Sequence, residues 1–287
     1  MIAIIKKEMR NYFNHITGYV FLFFYTVLSA IFFIQTNVMQ LNAEYFFTLI
    51  NSTIIFMLMV PMLTMRLFSE EYAQKTDQLL YTAPITTASI VFGKFFAACL
   101  MLLIGVSITF IFPYLISAYG TLPINRIIGT YIGFYLMGVS FISIGILVSV
   151  STHSQVVAAI GSFAMIFVFF MMGELVNLIP TTRDAGVIFA GVVSALIGYI
   201  FYSSTKNAWA SGGVLAVFGS AIGITYLTMP SFFDGLAIRS LNWVSLVSRF
   251  GSFSFGVLDV ADMVYYITFA VLFCFFAITV IEKRRWA

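Results

Sequence analysis

Long apolar runs recur along the whole sequence and restrict the folds open to it. A helix needs about 20 apolar residues to cross roughly 30 Å of hydrocarbon. About eight runs approach this length, at residues 17–37, 46–66, 91–118, 127–150, 156–179, 186–203, 212–229 and 262–281. Of the 287 residues, 61% are hydrophobic and 9% are charged, whereas soluble domains hold about 45–50% and about 25%. The sequence therefore predicts an all-α integral membrane protein, a polytopic helical bundle that forms a single transmembrane domain over residues 1–287.

Glycine and serine residues mark two features within these runs. The runs 186–203 and 212–229 are short and rich in glycine, so both a hairpin and a re-entrant pair fit them. The run 127–150 carries small residues that favour close helix packing in lipid, namely Gly138, Ser140, Ser143, Gly145 and Ser149. We therefore expect this helix to pack closely against others.

Lysine and arginine are distributed unevenly between the segments that join the runs. With the N-terminus in the cytosol, ten cations, including Lys94, fall on the cytosolic side and four fall outside. The outer four are Arg126, Arg183, Arg239 and Arg249. Since cytosolic loops carry an excess of lysine and arginine, both termini, the segment 66–84 and the turn 151–155 are predicted to be cytosolic.

Two segments are predicted to lie along the membrane rather than across it. Residues 1–16 form an amphipathic pattern typical of an interfacial helix. Its apolar face holds Ile2, Ile5, Met9, Tyr12, Phe13 and Ile16, and its polar face holds Lys6, Lys7, Arg10 and Asn14. Residues 231–261 place aromatic residues among serine and glycine, which predicts an outer interfacial or re-entrant segment. A simple membrane anchor is the alternative for each.

Patterns of catalytic and metal-binding residues are absent from the sequence. A phosphate-binding loop needs an earlier glycine and a serine or threonine after Gly-Lys, but Gly93 and Lys94 are followed by Phe95. The two histidines stand alone, and both cysteines lie inside apolar runs, as expected of packing residues. We therefore expect no catalytic residue, no metal and no directly bound cofactor.

Glu174 is an acidic residue inside the apolar run 156–179. A carboxylate in lipid is costly and marks a candidate functional position. Glu174 is therefore a candidate for lining a substrate path. It also lies close to Pro180 at the outer end of the run, so a carboxylate that reaches the headgroups or water is the alternative.

Residues 66–84, RLFSEEYAQKTDQLLYTAP, form a compact charged segment between two apolar runs. The helical spacing of Phe68 and Tyr72 predicts that the second span continues out of the lipid into this segment. The charged residues of the segment are Arg66, Glu70, Glu71, Lys75 and Asp77. The segment is too short to form a domain of its own.

A short helix is predicted across the membrane face within this segment. Thr76 caps the sequence DQLLY, Asp77 lies in its first turn, and Pro84 ends it. Thr86 or Thr87 then caps the next span. The apolar side chains that the helix offers to a groove in another protein are Leu79, Leu80 and Tyr81. An ordinary cytosolic loop is the alternative.

The stretch EEYAQKTDQLLYTAPITTASIVFGKFFA, residues 70–97, resembles the first cytosolic loop of ABC type-2 exporter permeases, especially their gliding-motility-like group. In that family the loop reads E-x-x-x-G-T-x-E-x-L-L-x-[TS]-x-P-[VI]-[ST], and I-V-x-G-K-F begins the next span. The matching residues are Glu70, Glu71, Thr76, Leu79, Leu80, Pro84, Ile90, Val91, Gly93, Lys94 and Phe95. This sequence departs from the pattern at Lys75, where glycine is usual, and at Gln78, where glutamate is common.

The two ends of the chain carry further parts of the resemblance. Residues 248–287 resemble the closing pattern of the family, with a Phe-Ser-Phe segment, the sequence Gly-Val-Leu-Asp at 256–259 and a terminal Arg-Arg-Trp. The amphipathic helix over 1–16 corresponds to the connecting helix of the family. Because the family core has about six spans, the resemblance implies that 186–203 and 212–229 are an added pair.

The resemblance implies a transmembrane permease subunit of an ATP-driven exporter in a bacterial plasma membrane. Such permeases work as dimers, with a second copy or a homologue, on two cytosolic ABC ATPase subunits that bind ATP and Mg²⁺. Membrane lipids are further partners, an accessory membrane or extracellular subunit also fits, and no nucleic acid is implied. The segment 66–90 is then the coupling loop seated in a cleft of the ATPase. The residues that the resemblance assigns to this contact are Glu70, Glu71, Thr76, Asp77, Leu79, Leu80, Tyr81 and Pro84, with Glu71 expected as an exposed charge on the rim.

Three other classes of protein remain as alternatives from the sequence. A secondary transporter or channel would show inverted repeats or several membrane-buried charges, and neither is evident. A membrane assembly or sensory protein is distinguished from a permease by gene context, because the gene of a permease is expected to have an ATPase gene beside it. An integral-membrane enzyme is disfavoured because the sequence lacks a catalytic constellation.

Overall fold

The fold is described from a computed structural model that covers residues 1–76, 85–118, 123–176 and 178–286. These described residues are 84% helical and contain no strand. The predicted all-α fold is therefore confirmed.

The first half of the chain forms seven of the described α-helices. They are α1 (Ile2–Asn14), α2 (Ile16–Phe33), α3 (Phe46–Ser52), α4 (Ile55–Thr64), α5 (Ser69–Ala73), α6 (Thr87–Ile108) and α7 (Ile111–Ser117). A π-helix at Ile34–Val38 continues α2.

The second half forms the remaining described helices. They are α8 (Ile124–Ser151), α9 (Gln155–Val176), α10 (Arg183–Thr205), α11 (Ala208–Thr228), α12 (Leu236–Val244), α13 (Leu246–Ser254) and α14 (Val260–Trp286). A 3₁₀-helix at Pro230–Phe233 precedes α12. The predicted outer segment 231–261 therefore consists largely of short helices.

The number of membrane spans agrees with the apolar runs. Within the described residues, seven helical stretches are long and apolar enough to cross a membrane. The number rises to eight if Phe46–Ser52 and Ile55–Ala73, which meet at a bend of 58°, form one span. Each predicted run has a counterpart among these stretches, and α10 and α11 account for the two short, glycine-rich runs. The prediction of about eight spans is confirmed.

The chain divides into two compact units. The first unit comprises Met1–Val168 and Arg249–Ala287, and the second comprises Phe169–Ser248. The boundaries fall within α9 and within α13.

Helix α8 forms the centre of the first unit, where it packs against α3, α4, α5, α6 and α14. Its small residues are the points of closest approach. A Cβ atom at Gly138 would lie 2.6 Å from Leu102 of α6, and one at Gly145 would overlap Thr64 of α4. The predicted close packing of this helix is confirmed, because side chains at these positions would push its neighbours away.

The end of α13 also packs into a gap left by glycine on α8. Phe253 is fully buried, and a Cβ atom at Gly133 would overlap its ring. The Thr130 hydroxyl donates to the Phe253 carbonyl over 3.1 Å. Gly256 follows at φ +79°, in the left-handed region that favours glycine, and passes close to Arg126 on α8. Residues 253–256 are therefore fastened to α8 within the first unit.

The second unit consists mainly of α10 and α11, which pack along each other. Leu215 of α11 fills the space above Gly198 of α10. Arg183 at the start of α10 pairs with Asp234 over 3.5 Å. Several glycines of α11 face open space, since a Cβ atom there would meet nothing within 4 Å: Gly212, Gly213, Gly219 and Gly223.

We predict that Gly133→Ala destabilises the first unit, whereas Gly219→Ala does not. The added methyl group at Gly133 must displace the buried Phe253 ring, and such overpacking costs about 1–3 kcal/mol. At Gly219 the same methyl group enters open space. Thermal unfolding in detergent can be followed with a thiol-reactive dye, because both cysteines of the chain are buried. Equal unfolding midpoints for the two variants would contradict this packing.

Candidate functional site

The N-terminal helix packs directly onto the beginning of the third span. A Cβ atom at Gly93 of α6 would lie 2.9 Å from the Cβ atom of Ile4 on α1. Because glycine has no Cβ, the two helices approach closely at this point. The Gly-Lys pair of the sequence therefore places the next residue, Lys94, directly beside α1.

The Lys94 side chain is buried, with 1% of it exposed, between two carboxylates. Its Nζ atom lies 3.1 Å from Oε1 of Glu8 on α1 and 2.9 Å from Oε2 of Glu71 on α5. It also donates a hydrogen bond to the Leu67 carbonyl. We call Glu8, Glu71 and Lys94 the charged cluster. It joins α5 and α6 to α1, which lies far from both in sequence.

Lys7 completes the charge balance at the edge of the cluster. Its Nζ atom lies 2.9 Å from Oε1 of Glu71 and 3.8 Å from Oε1 of Glu8. Partial burial lowers the pKa of Lys7, but its hydrogen bond to Glu71 and the charges of Glu71 and Glu8 outweigh this effect. The pKa of Lys7 is therefore held above its ordinary value, and two cations face two carboxylates.

Glu71 is not the exposed rim charge that the sequence predicted. Its side chain is 16% exposed and is held by Lys94 and Lys7. The prediction failed because the helical spacing of the segment indicates which residues share a face but not which face packs against α6. Lys94, which the sequence places at the start of the third span, lies buried inside the protein.

The helix predicted over 1–16 is present as α1, and the residues that it packs against the rest of the protein belong only in part to the predicted apolar face. Its buried residues are Ile4, Glu8 and Tyr12. Two residues of the predicted apolar face, Ile2 and Ile16, are 78% and 77% exposed. The orientation follows from polar contacts: Glu8 pairs with Lys94, and the Tyr12 hydroxyl donates to the Leu63 carbonyl over 2.9 Å.

Ser149 of α8 supports the start of α5. Its Oγ atom accepts hydrogen bonds from the backbone N–H groups of Phe68, at 3.2 Å, and Ser69, at 3.4 Å. The first amides of a helix lack partners within the helix, so this hydroxyl acts as a cap supplied by another helix. The predicted continuation of the second span into the charged segment is thus present as α5, after a turn at Met65–Phe68.

Lys75 adopts the left-handed conformation at the end of α5, with φ 56°. The N–H of Thr76 donates to the Glu71 carbonyl over 3.0 Å, and the N–H of Lys75 donates to the Tyr72 carbonyl over 3.2 Å. These two bonds form a Schellman motif, whose left-handed position usually holds glycine. Lys75, which replaces the glycine of the family pattern, is therefore the residue at this left-handed position.

The candidate coupling residues are only partly within the described chain. Glu70 is half-buried and accepts a hydrogen bond from Gln74 over 3.3 Å. Thr76 is the last residue of the Schellman motif that ends α5. Its predicted role as the cap of the next helix concerns residues 77–84, which lie outside the described residues. Also outside the described residues are Asp77, Leu79, Leu80, Tyr81 and Pro84. The predicted cap of the third span is confirmed, since the Thr86 hydroxyl accepts from the Ser89 N–H over 3.3 Å.

Other segments predicted to be cytosolic meet at the same end of the first unit. The Tyr72 ring lies 5.3 Å from the ring of His153 in the turn 151–155. Arg284 of α14 lies 4.9 Å above the Tyr72 ring and donates to the Ser151 carbonyl over 2.9 Å. The charged segment, the turn 151–155 and the end of α14 therefore share one face of the first unit.

Polar residues elsewhere in the described part of the chain include a partly buried ion pair that sequence reasoning missed. Arg249 and Asp262 lie 2.7 Å apart, and Ser252 donates to Asp262 over 2.6 Å.

Glu174 is an exposed residue of α9 in the second unit, and its assignment to a substrate path stays a prediction. Among the described residues, no group of three or more His, Cys, Asp or Glu could hold a metal ion.

Together, the spans and the packed charged end define a multi-pass membrane protein. Residues 61–204 match the family model described as ABC-2 family transporter protein. The match covers half of the chain, and the chain belongs to this family. No curated protein and no solved structure matches the chain. The family identifies the chain as a membrane permease component of an ABC transporter, and the matched range includes the charged segment.

We predict that Glu71→Ala destabilises the protein and that Glu70→Ala, at the adjacent residue, does not. Without Glu71, the buried ammonium of Lys94 loses one of two carboxylate partners, and a lost partner of a buried charged group costs about 1–3 kcal/mol. Glu70 is half-buried and accepts one side-chain hydrogen bond, so its loss costs less than about 0.5 kcal/mol. Unfolding midpoints in detergent measure both. A Glu71→Ala protein as stable as wild type would contradict the assignment of Glu71 to the cluster.

Proposed function

We propose that this chain is the permease of an ABC exporter and that its segment 66–90 binds a cytosolic ABC ATPase. The observation that carries the proposal is the family match, which includes this segment. A permease of this class draws its energy from ATP hydrolysis on a partner that binds ATP together with Mg²⁺. The segment 66–90 is the candidate joint because both of its described ends are fixed to the first unit.

The anchoring of this segment explains how a movement of the ATPase would reach the spans. On the N-terminal side, α5 is held by Ser149 and by the pair between Glu71 and Lys94. On the C-terminal side, the Thr86 cap begins α6, the helix that carries Lys94. A displacement of residues 77–84 therefore acts on two helices that already share a buried ion pair. Because Lys94 also pairs with Glu8, the movement would extend to α1.

The proposal also includes the orientation of the chain, its membrane, its direction of transport and its substrate path. The face that carries the charged segment is cytosolic, because lysine residues concentrate there. The chain acts in a bacterial plasma membrane, exports its substrate and forms a dimer with a second permease. The I-V-F-G-K-F sequence at 90–95 favours the gliding-motility-like group. Glu174 is the residue that we propose for the substrate path.

We predict that Leu79→Asp combined with Leu80→Asp releases the ATPase and leaves the permease folded. Burying a leucine contributes roughly 1.5–3 kcal/mol, and about 1.4 kcal/mol corresponds to a factor of ten in affinity. Replacing both side chains with carboxylates should therefore lower the affinity by several powers of ten. The measurement is the amount of ABC ATPase that co-purifies from native membranes, identified by mass spectrometry. Substrate-dependent ATP hydrolysis should be lost in parallel.

A matched control is available at the π-helix end of the first unit. Met39 and Leu41 are 76% and 93% exposed, so Met39→Asp with Leu41→Asp adds the same two charges away from the coupling segment. This control should retain the ATPase. If the Leu79 and Leu80 variant also keeps the ATPase at the wild-type ratio while remaining monodisperse, the segment is not the joint.

A further inference from the structure

A polar cleft of about 440 Å³ opens between α1 and the end of the second span. Its walls come from α1, the start of α2, the turn that follows α4, and α5. Lys94 forms part of its inner wall. The cleft thus lies beside the charged cluster and is open to the surroundings of the first unit.

The position of the cleft in the sequence places it at the boundary between lipid and water. His15 lines it and immediately precedes the apolar stretch Ile16–Val38. Arg66 lines it and is the first charged residue after the apolar helix α4. Both residues therefore lie where a membrane-crossing helix leaves the hydrocarbon, which is the level of lipid headgroups.

Among the described residues, one cation and one carboxylate of the cleft have no ionic partner. Three cations and three carboxylates line the cleft among the described residues. Lys7 and Lys94 pair with Glu8 and Glu71. The remaining two are Arg66 and Glu70, and no ion pair joins them in the part of the chain that the structure describes.

The guanidinium of Arg66 is held in place without being neutralised. Its Nη1 atom donates to the Thr17 hydroxyl over 2.7 Å, and the remaining donors of its planar fork stay available. The Glu70 carboxylate accepts one hydrogen bond, from the amide of Gln74 over 3.3 Å, and has further acceptor sites. The cleft therefore offers an anion-binding group and a cation-binding group at headgroup level.

We propose that this cleft binds the headgroup of a phosphoethanolamine lipid. The phosphate accepts hydrogen bonds from the Arg66 guanidinium, whose geometry suits phosphate oxygens. The primary ammonium of the same headgroup donates to the Glu70 carboxylate. A phosphocholine headgroup carries no N–H donor for Glu70, and a phosphoglycerol headgroup carries no cation. The proposal does not depend on the ATPase contact or on the transported substrate.

Native mass spectrometry of the chain purified in detergent tests this proposal. The probes are phosphatidylethanolamine, phosphatidylcholine and phosphatidylglycerol with identical acyl chains, added at equal concentration. We expect one phosphatidylethanolamine to be retained about two- to fivefold more than either other lipid, as one partly exposed ion pair would give. Free O-phosphoethanolamine at the same concentration should not displace it. Displacement would show that a soluble compound occupies the cleft and would overturn the lipid assignment.

Two variants separate the roles of the two charged residues. Glu70→Gln should abolish the preference for phosphatidylethanolamine over phosphatidylglycerol, because it removes the group that recognises the ammonium. Arg66→Gln should lower retention of all three lipids. Lys6→Gln removes an exposed cation of α1 that does not line the cleft, and it should keep the wild-type preference. An unchanged preference for phosphatidylethanolamine in Glu70→Gln, or unchanged retention of all three lipids in Arg66→Gln, would overturn the site.

Discussion

The buried ammonium of Lys94 is stable in the protein interior only while both Glu8 and Glu71 pair with it. Moving an unpaired charge into a protein interior costs several kcal/mol, so the cation is tolerated only with its two carboxylates. Because these residues belong to α6, α1 and α5, their mutual attraction fixes where the N-terminal helix and the charged segment lie on the third span. Gly93 contributes by letting α1 come close enough for the contact. The structure of this end of the first unit depends on these ion pairs.

This dependence gives the charged end a mechanical property that suits a permease. If α5 moved away from α6 alone, Lys94 would keep one carboxylate and lose the other, at a cost in free energy. Small movements are therefore expected to carry α5, α6 and α1 together. A permease component of the ABC-2 family that works with an ATPase needs such a connection between the face that meets the ATPase and its spans. The left-handed Lys75 and the Thr86 cap fix the two ends from which residues 77–84 extend.

Features that depend on neighbours in sequence were predictable, and features that depend on tertiary contacts were not. The apolar runs predicted the spans, because length and hydropathy alone decide which helices can cross lipid. The Thr86 cap and the small residues of α8 followed from local rules. The cluster was missed because Glu8, Glu71 and Lys94 are distant in sequence and each resembles an ordinary cytosolic charge. A lysine beside a glycine at the start of an apolar helix was the available signal.

The stability of variants of the charged cluster tests the central claim most directly. Lys94→Met leaves two carboxylates at a site built for a cation, and breaking a buried pair in this way costs about 3–5 kcal/mol. The triple variant Glu8→Gln, Glu71→Gln and Lys94→Met removes the charges together and should recover most of that loss. Unfolding midpoints of both proteins in detergent provide the measurement. A Lys94→Met protein that unfolds at the wild-type midpoint, or a triple variant no more stable than the single one, would contradict the claim.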